Sequence, residues 1–198
     1  VGPNLSTAAG CLYCRDERFA FRRVLALGSY EEALRRAILS GKTTQGAPVI
    51  SALTDAFVDH WLSQLLVEPF DAILPVPHHW QRRFWQLHAA SETIAERLAT
   101  RLRRRYAPHI LLKPKATPRQ SASVPSQRRR QQRGAFAVPD GCRLDGLRLL
   151  LADDVLTTGA TAHAAAQTLV AAGAADVLVV VLARGIGRRG EREATPAS

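Results

Sequence analysis

Methionine is absent from the chain, at position 1 as elsewhere, and only three cysteines occur in its 198 residues. The missing first methionine is read as an N-terminus that is processed or truncated. Three thiols do not make a disulfide framework, which excludes the small disulfide-stapled secreted class and favours a reducing, cytoplasmic compartment. The first twenty residues lack a basic start followed by an apolar core, so no secretory leader is expected. No apolar run approaches the roughly 18 residues that a membrane span requires, the longest clear one being residues 177–183. A soluble protein without a membrane span is therefore expected. Aromatic residues make up only 6% of the chain. None is interleaved with the arginine runs, which counts against a stacking platform for single-stranded nucleic acid.

Acidic residues are also scarce, with 17 Asp and Glu against 27 Lys and Arg, for a formal net charge of +10. The excess is concentrated in residues 101–105, 128–133 and 184–192. Such patches serve nucleic acid or collect a polyanionic small substrate. With 46% hydrophobic and 22% charged residues the composition is globular. A chain of this length buries one full α/β core with a small appendage.

The chemistry concentrates in residues 149–161, Leu-Leu-Leu-Ala-Asp-Asp-Val-Leu-Thr-Thr-Gly-Ala-Thr. Three leucines ending in two acids read as a buried parallel strand, and a Thr/Gly turn then feeds an alanine-rich helix. Backbone N–H groups of Thr157, Thr158, Gly159, Ala160 and Thr161, ahead of the helical ladder, suit a phosphate monoester. Gly159 lets the backbone approach without a Cβ in the way. Asp153 and Asp154 are acceptor-only groups suited to vicinal hydroxyls and, through them, to a divalent cation. An ordinary strand-to-helix turn with a cap would contain the same acid pair. The apolar run before it and the threonines after it favour a ribose 5-phosphate site.

Short apolar segments alternate with helical patterns along the rest of the chain. A strand is expected near residues 24–27. A helix over 31–39 follows, with Ala33, Leu34, Ile38 and Leu39 on one face and Gly41 as its stop. A second helix is expected over 50–66, with Leu53, Phe57, Trp61 and Leu65 about one turn apart, ending before Glu68-Pro69. Residues 71–77 read as a strand entering a proline-stiffened loop, and a helix runs through Ile94 and Leu98. Further strands are expected at 110–112, from Phe136 and Val138, and at 177–183, with a helix over 162–172 capped by Gly173. This alternation argues for a parallel sheet flanked by helices, with the site at the strand C-termini.

The string 149–161 resembles the phosphoribosyl pyrophosphate (PRPP) motif of type I phosphoribosyltransferases. The chain as a whole is most similar to their ComF/GntX-type branch. Pro-Val-Pro-His-His-Trp-Gln-Arg-Arg at 75–83 carries that likeness. So does 117–136, where Thr117, Gln120, the arginines and Gly-Ala-Phe at 134–136 fall in register. The resemblance implies a type I phosphoribosyltransferase fold, with a disordered start and incomplete zinc-ribbon remnant over 1–18 and a helical hood over 19–66. The core would span 67–186 and a basic tail 187–198.

It also implies a pyrophosphate loop at Val76, Pro77, His78 and His79, served by Arg82 and Arg83, and a lid carrying Gln120, Arg128, Arg129 and Arg130. Asp153 and Asp154 would be the catalytic acids, with Mg²⁺ near them. Tyr30 and Lys42 match a tyrosine and a lysine that bracket the corresponding helix, although Lys42 alone reads equally as a solvated helix-end cation. Cys11 and Cys14 supply half of a tetrahedral zinc site, and Zn²⁺ is expected only if the full-length chain completes the ribbon. The sequence departs from the pattern at 87–90 and at Ser123 and Gln131.

Two functions follow from the resemblance. One is a Mg²⁺-dependent transfer of phosphoribosyl from PRPP to an acceptor such as a nucleobase. The other is a non-catalytic module acting in DNA uptake through DNA or competence-protein partners. Oligomeric state stays open, a dimer included.

Overall fold

The computed structural model describes residues 18–77, 89–114 and 135–185, together with the backbone of 6–7 and 10–11. Five strands form one parallel sheet: β1 (Arg23–Ser29), β2 (Ala72–Pro75), β3 (Arg105–Tyr106), β4 (Arg148–Leu156) and β5 (Asp176–Arg184). Their spatial order is β1-β5-β4-β2-β3. The helices are α1 (Glu32–Gly41), α2 (Ala47–Val67), α3 (Ala90–Leu102) and α4 (Ala160–Ala171). The parallel sheet flanked by helices that the alternating pattern predicts is the fold observed. At the N-terminus, Ser6–Thr7 and Gly10–Cys11 pair antiparallel as a separate two-stranded ribbon.

The central strands β4 and β5 are apolar almost without interruption because both of their faces are covered. Alternation sorts their side chains. Leu149 and Leu151 join Ala162, Ala165, Ala166 and Leu169 of α4 on one side. Leu150 and Ala152 join Ile38, Ile50, Phe57, Ile94 and Leu98 of α1, α2 and α3 on the other. The alanines of α4 let that helix lie close to the sheet, whereas the opposite face is filled by larger side chains. All pairings are parallel, so every strand C-terminus emerges at the same edge.

Residues 23–29, within the segment read from sequence as a hood, hydrogen-bond alongside β5 as an edge strand of this sheet. α2 begins at Ala47, with Pro48 in its first turn where a missing N–H costs nothing, and ends at Val67 ahead of Pro69. Trp61 Nε1–H donates to the Ala26 carbonyl at 3.0 Å and so ties α2 to β1.

Three sequence expectations shift. On α1 the inward residues are Leu34, Ala37, Ile38 and Gly41, while Ala33 and Leu39 face solvent. The strands expected at 110–112 and from Phe136 reduce to one antiparallel bridge between Leu112 and Ala137. Pro108, Pro114 and Pro139 bracket these stretches, and none of them can donate to a ladder. Conversely, Arg105–Tyr106 pairs with Ala72 and Ile73, a strand hidden in sequence by its arginines.

Candidate functional site

The turn after β4 is held open by its backbone. Gly159 caps α4 in the left-handed region, at φ 77° and ψ −1°. The first intrahelical bond runs from His163 N–H to the Gly159 carbonyl at 2.8 Å. The amides of Gly159, Ala160, Thr161 and Ala162 therefore precede the helical ladder. The Ala160 amide makes only a long contact, 3.4 Å, to Thr158 Oγ1. Thr157, Thr158 and Thr161 are exposed around it. These amides sit at the positive end of the α4 dipole, an arrangement that receives an anion.

The hollow they form, bounded also by Asp153, Val155 and Leu156, takes about 230 Å³, part of it open to solvent.

A second layer fixes this turn. A Cβ at Gly159 would stand 2.9 Å from Phe19 Cε1, so the Phe19 ring lies directly against the cap. Phe19 stacks on Phe21 with centroids 4.7 Å apart and meets His163 edge-on at 5.9 Å. Ala20 N–H donates to His163 Nδ1 at 2.9 Å. His163 thus holds the segment before β1 over the start of α4.

The two acids stand at the end of β4, and both are shielded, Asp153 at 7% exposure and Asp154 at 5%. Alternation sends them toward opposite faces, and each curls onto the next amide. Asp154 N–H donates to Asp153 Oδ1 and Val155 N–H to Asp154 Oδ1, both at 2.9 Å. Asp154 Oδ2 pairs with the Lys42 ammonium, which reaches it from the residue following α1. Burial, and then the negative charge of Asp154, push the Asp153 carboxyl well above the usual carboxylate range. Of the two acids, only Asp153 lines this hollow.

Of the expected pyrophosphate loop, Val76 and Pro77 are described. Val76 is 1% exposed. Its N–H donates to the Ala152 carbonyl at 2.8 Å, and its carbonyl accepts from Ser91 Oγ at 2.9 Å. Its backbone is thus committed to joining β2, β4 and α3, and Pro77 forms the half-buried rim. His78, His79, Arg82, Arg83, Gln120, Arg128, Arg129 and Arg130 lie outside the described residues, as do the side chains of Cys11 and Cys14. Tyr30 packs against the cluster under α1 and α2, its N–H bonded to the Arg184 carbonyl at 2.8 Å.

No family model matches the chain. It is 28% identical over 178 residues to the DNA utilization protein YhgH of Escherichia coli O6:H1, covering 88% of this chain and 77% of that one. Among solved structures it is similar to an adenine phosphoribosyltransferase, at 17% identity and TM-score 0.47, over 70% of this chain and 71% of that one. It is also similar to the glutamine PRPP amidotransferase of B. subtilis, at 22% identity and TM-score 0.46. That match covers 69% of this chain and 27% of the amidotransferase.

The donor set bears on the divalent cation that the family resemblance implies. Among the described residues no three His, Cys, Asp or Glu side chains converge. One oxygen of Asp154 is taken by Lys42 and the other by an amide, while burial disfavours the charged form of Asp153. The residues do not fit a divalent cation held by the protein alone, since a hard cation requires several ionised or carbonyl oxygens.

Sequence reasoning missed Phe19, Ser91 and His163 as supports of the site. A partial signal existed for the first, an aromatic pair at Phe19 and Phe21 with nothing local to pack against.

Proposed function

We propose that the chain binds a phosphoribosyl ligand, PRPP or a relative. The 5-phosphate would sit on the 157–161 turn and the ribose hydroxyls against Asp153. One observation carries the reading: a helix N-terminus with a left-handed glycine cap, its first amides ahead of the helical ladder, opens at the C-terminal edge of a parallel sheet, one carboxyl in its wall. The turn would neutralise and orient the phosphate, and Asp153 would accept from the sugar diol.

Transfer would break the bond between C1 and the pyrophosphate oxygen, the electron pair leaving with the pyrophosphate, and form a bond from an acceptor atom to C1. The enzyme's part in such a step is placement and charge rather than covalent chemistry. Arg82, Arg83 and Arg128, Arg129 and Arg130 are proposed as the cations that meet the pyrophosphate. The acceptor would be a small nucleophile, a nucleobase among the candidates.

A second reading is favoured by the name of the Escherichia coli relative, a DNA utilization protein. In it the same turn binds a nucleotide end while the chain serves DNA use without transfer. Isothermal titration with ribose 5-phosphate and PRPP, followed by pyrophosphate release across a nucleobase panel, separates the two. Binding that Asp153→Asn weakens by about tenfold or more, with turnover on one base, supports transfer. Binding without turnover supports the second reading, and no binding of either sugar phosphate would falsify both.

A further inference from the structure

Lys42 is more than a helix-end cation. Its N–H closes the C-terminus of α1 on the Leu39 carbonyl at 3.2 Å. The preceding Gly41 packs so tightly on α2 that a Cβ there would lie 2.5 Å from Ile50 Cδ1. The root of the side chain is therefore fixed, and the ammonium is aimed at Asp154 Oδ2. Asp154 is 5% exposed, and its other oxygen is occupied by the Val155 amide. A carboxylate so shielded requires a cation or a proton, and Lys42, a third exposed, supplies the cation from the chain itself.

We propose that Lys42 is the resident counter-charge of the acid pair and keeps divalent cations out of the empty site, so that a ribose phosphate binds without a metal already in place. A sugar hydroxyl is compatible with this arrangement, because it would meet Asp153, the acid that lines the hollow, and leave the Lys42–Asp154 pair in place. A divalent cation is not compatible, because it would compete for the same Oδ2 with an ammonium tethered beside it in a poorly solvated setting. The claim about the cation stands on the Lys42 geometry alone. The claim about the sugar rests on the phosphoribosyl reading above.

The test titrates ligand-free protein with Mn²⁺, read by the loss of the free-ion electron paramagnetic resonance signal. The proteins are the wild type, Lys42→Met, Lys42→Arg and the double variant Lys42→Met with Asp154→Asn, each checked for fold by circular dichroism. Wild type and Lys42→Arg should hold no stoichiometric Mn²⁺. Lys42→Met should bind it about tenfold or more tighter than wild type, and the double variant should lose that gain. Wild type holding Mn²⁺ as tightly as Lys42→Met, or neither protein holding it, overturns the proposal, the second because too few oxygens rather than Lys42 would then exclude the cation.

Calorimetry with ribose 5-phosphate in EDTA and in Mg²⁺ supplies the second arm. Affinities within about twofold of each other are expected, and a loss of about tenfold in EDTA overturns the metal-free claim. Failure to bind in either buffer sinks the phosphoribosyl reading instead, while the Mn²⁺ series still decides the role of Lys42.

Discussion

Asp153 is placed where a stable fold would not put an ionisable group. It is nearly buried, beside a second carboxyl, and its proton affinity is raised by that burial and by Asp154. In the unfolded chain an aspartate loses its proton near pH 3.9. Between that pH and its raised folded value, the folded state holds a proton that the unfolded state has given up. Stability from this group is thus complete below about pH 3.9 and is lost as pH rises through the folded value. Asp153→Asn should raise the melting temperature at pH 7, on the order of 2–4 °C for roughly 1 kcal/mol in a chain of this size. Scanning calorimetry near pH 3.5 should show that advantage vanish. A variant less stable than wild type at pH 7 would mean that the carboxylate is held by more favourable contacts than burial and repulsion allow. At this scale the sequence was half legible. The Asp-Asp pair was visible as chemistry, but Lys42 looked equally like a solvated cation, because its partner is remote in the chain and only the fold brings the two together.

The start of α4 is the element on which the site depends, and it is built from contributions of opposite ends of the chain. Gly159 supplies the left-handed cap, and Phe19 lies against it where a side chain would otherwise be. Gly159→Ala should cost about 1–2 kcal/mol for the left-handed backbone alone, and Phe19 must also move. Urea unfolding measures the first effect. A loss of ribose 5-phosphate affinity of about tenfold or more measures the second, since a displaced cap re-aims the amides. Retained affinity would show that the turn tolerates a Cβ and that the tight fit to Phe19 is incidental. The helix itself was legible from its small residues and from Gly173. The aromatic brace was not, because stacking partners near residue 20 and residue 163 share no local period.

Across the whole molecule the two faces of the sheet are unequal. Among the described residues, three helices and most of the largest fully buried side chains lie on one face, and the alanine-rich α4 with irregular segments lies on the other. Leu150, fully buried at the centre of the three-helix face, is where a cavity has least freedom to collapse. Leu150→Ala should cost about 2–5 kcal/mol, read as a lowered urea midpoint with an unchanged slope. A cost well under that range would indicate a loosely packed interior. The acid–arginine ladder on the outer surface, in which Arg97 and Arg101 share Asp55, ties α3 to α2. It holds the Asp55 carboxyl below its usual range, through the Arg97 hydrogen bond first. Its exposure keeps it a minor contributor beside that core.

The central strands β4 and β5 and the helices that cover them followed from the local apolar pattern: uninterrupted apolar runs must be buried on both faces, and helical periods must cover them. The phosphate-type turn was equally local, since its glycine, threonines and strand-end acids are consecutive. Tertiary structure alone decided that residues 23–29 and 105–106 complete the sheet, that Asp154 is neutralised by Lys42, and that Phe19 and His163 brace the turn. Each of these joins segments far apart in the chain, and such partners are chosen by packing and charge in three dimensions, which no local pattern encodes.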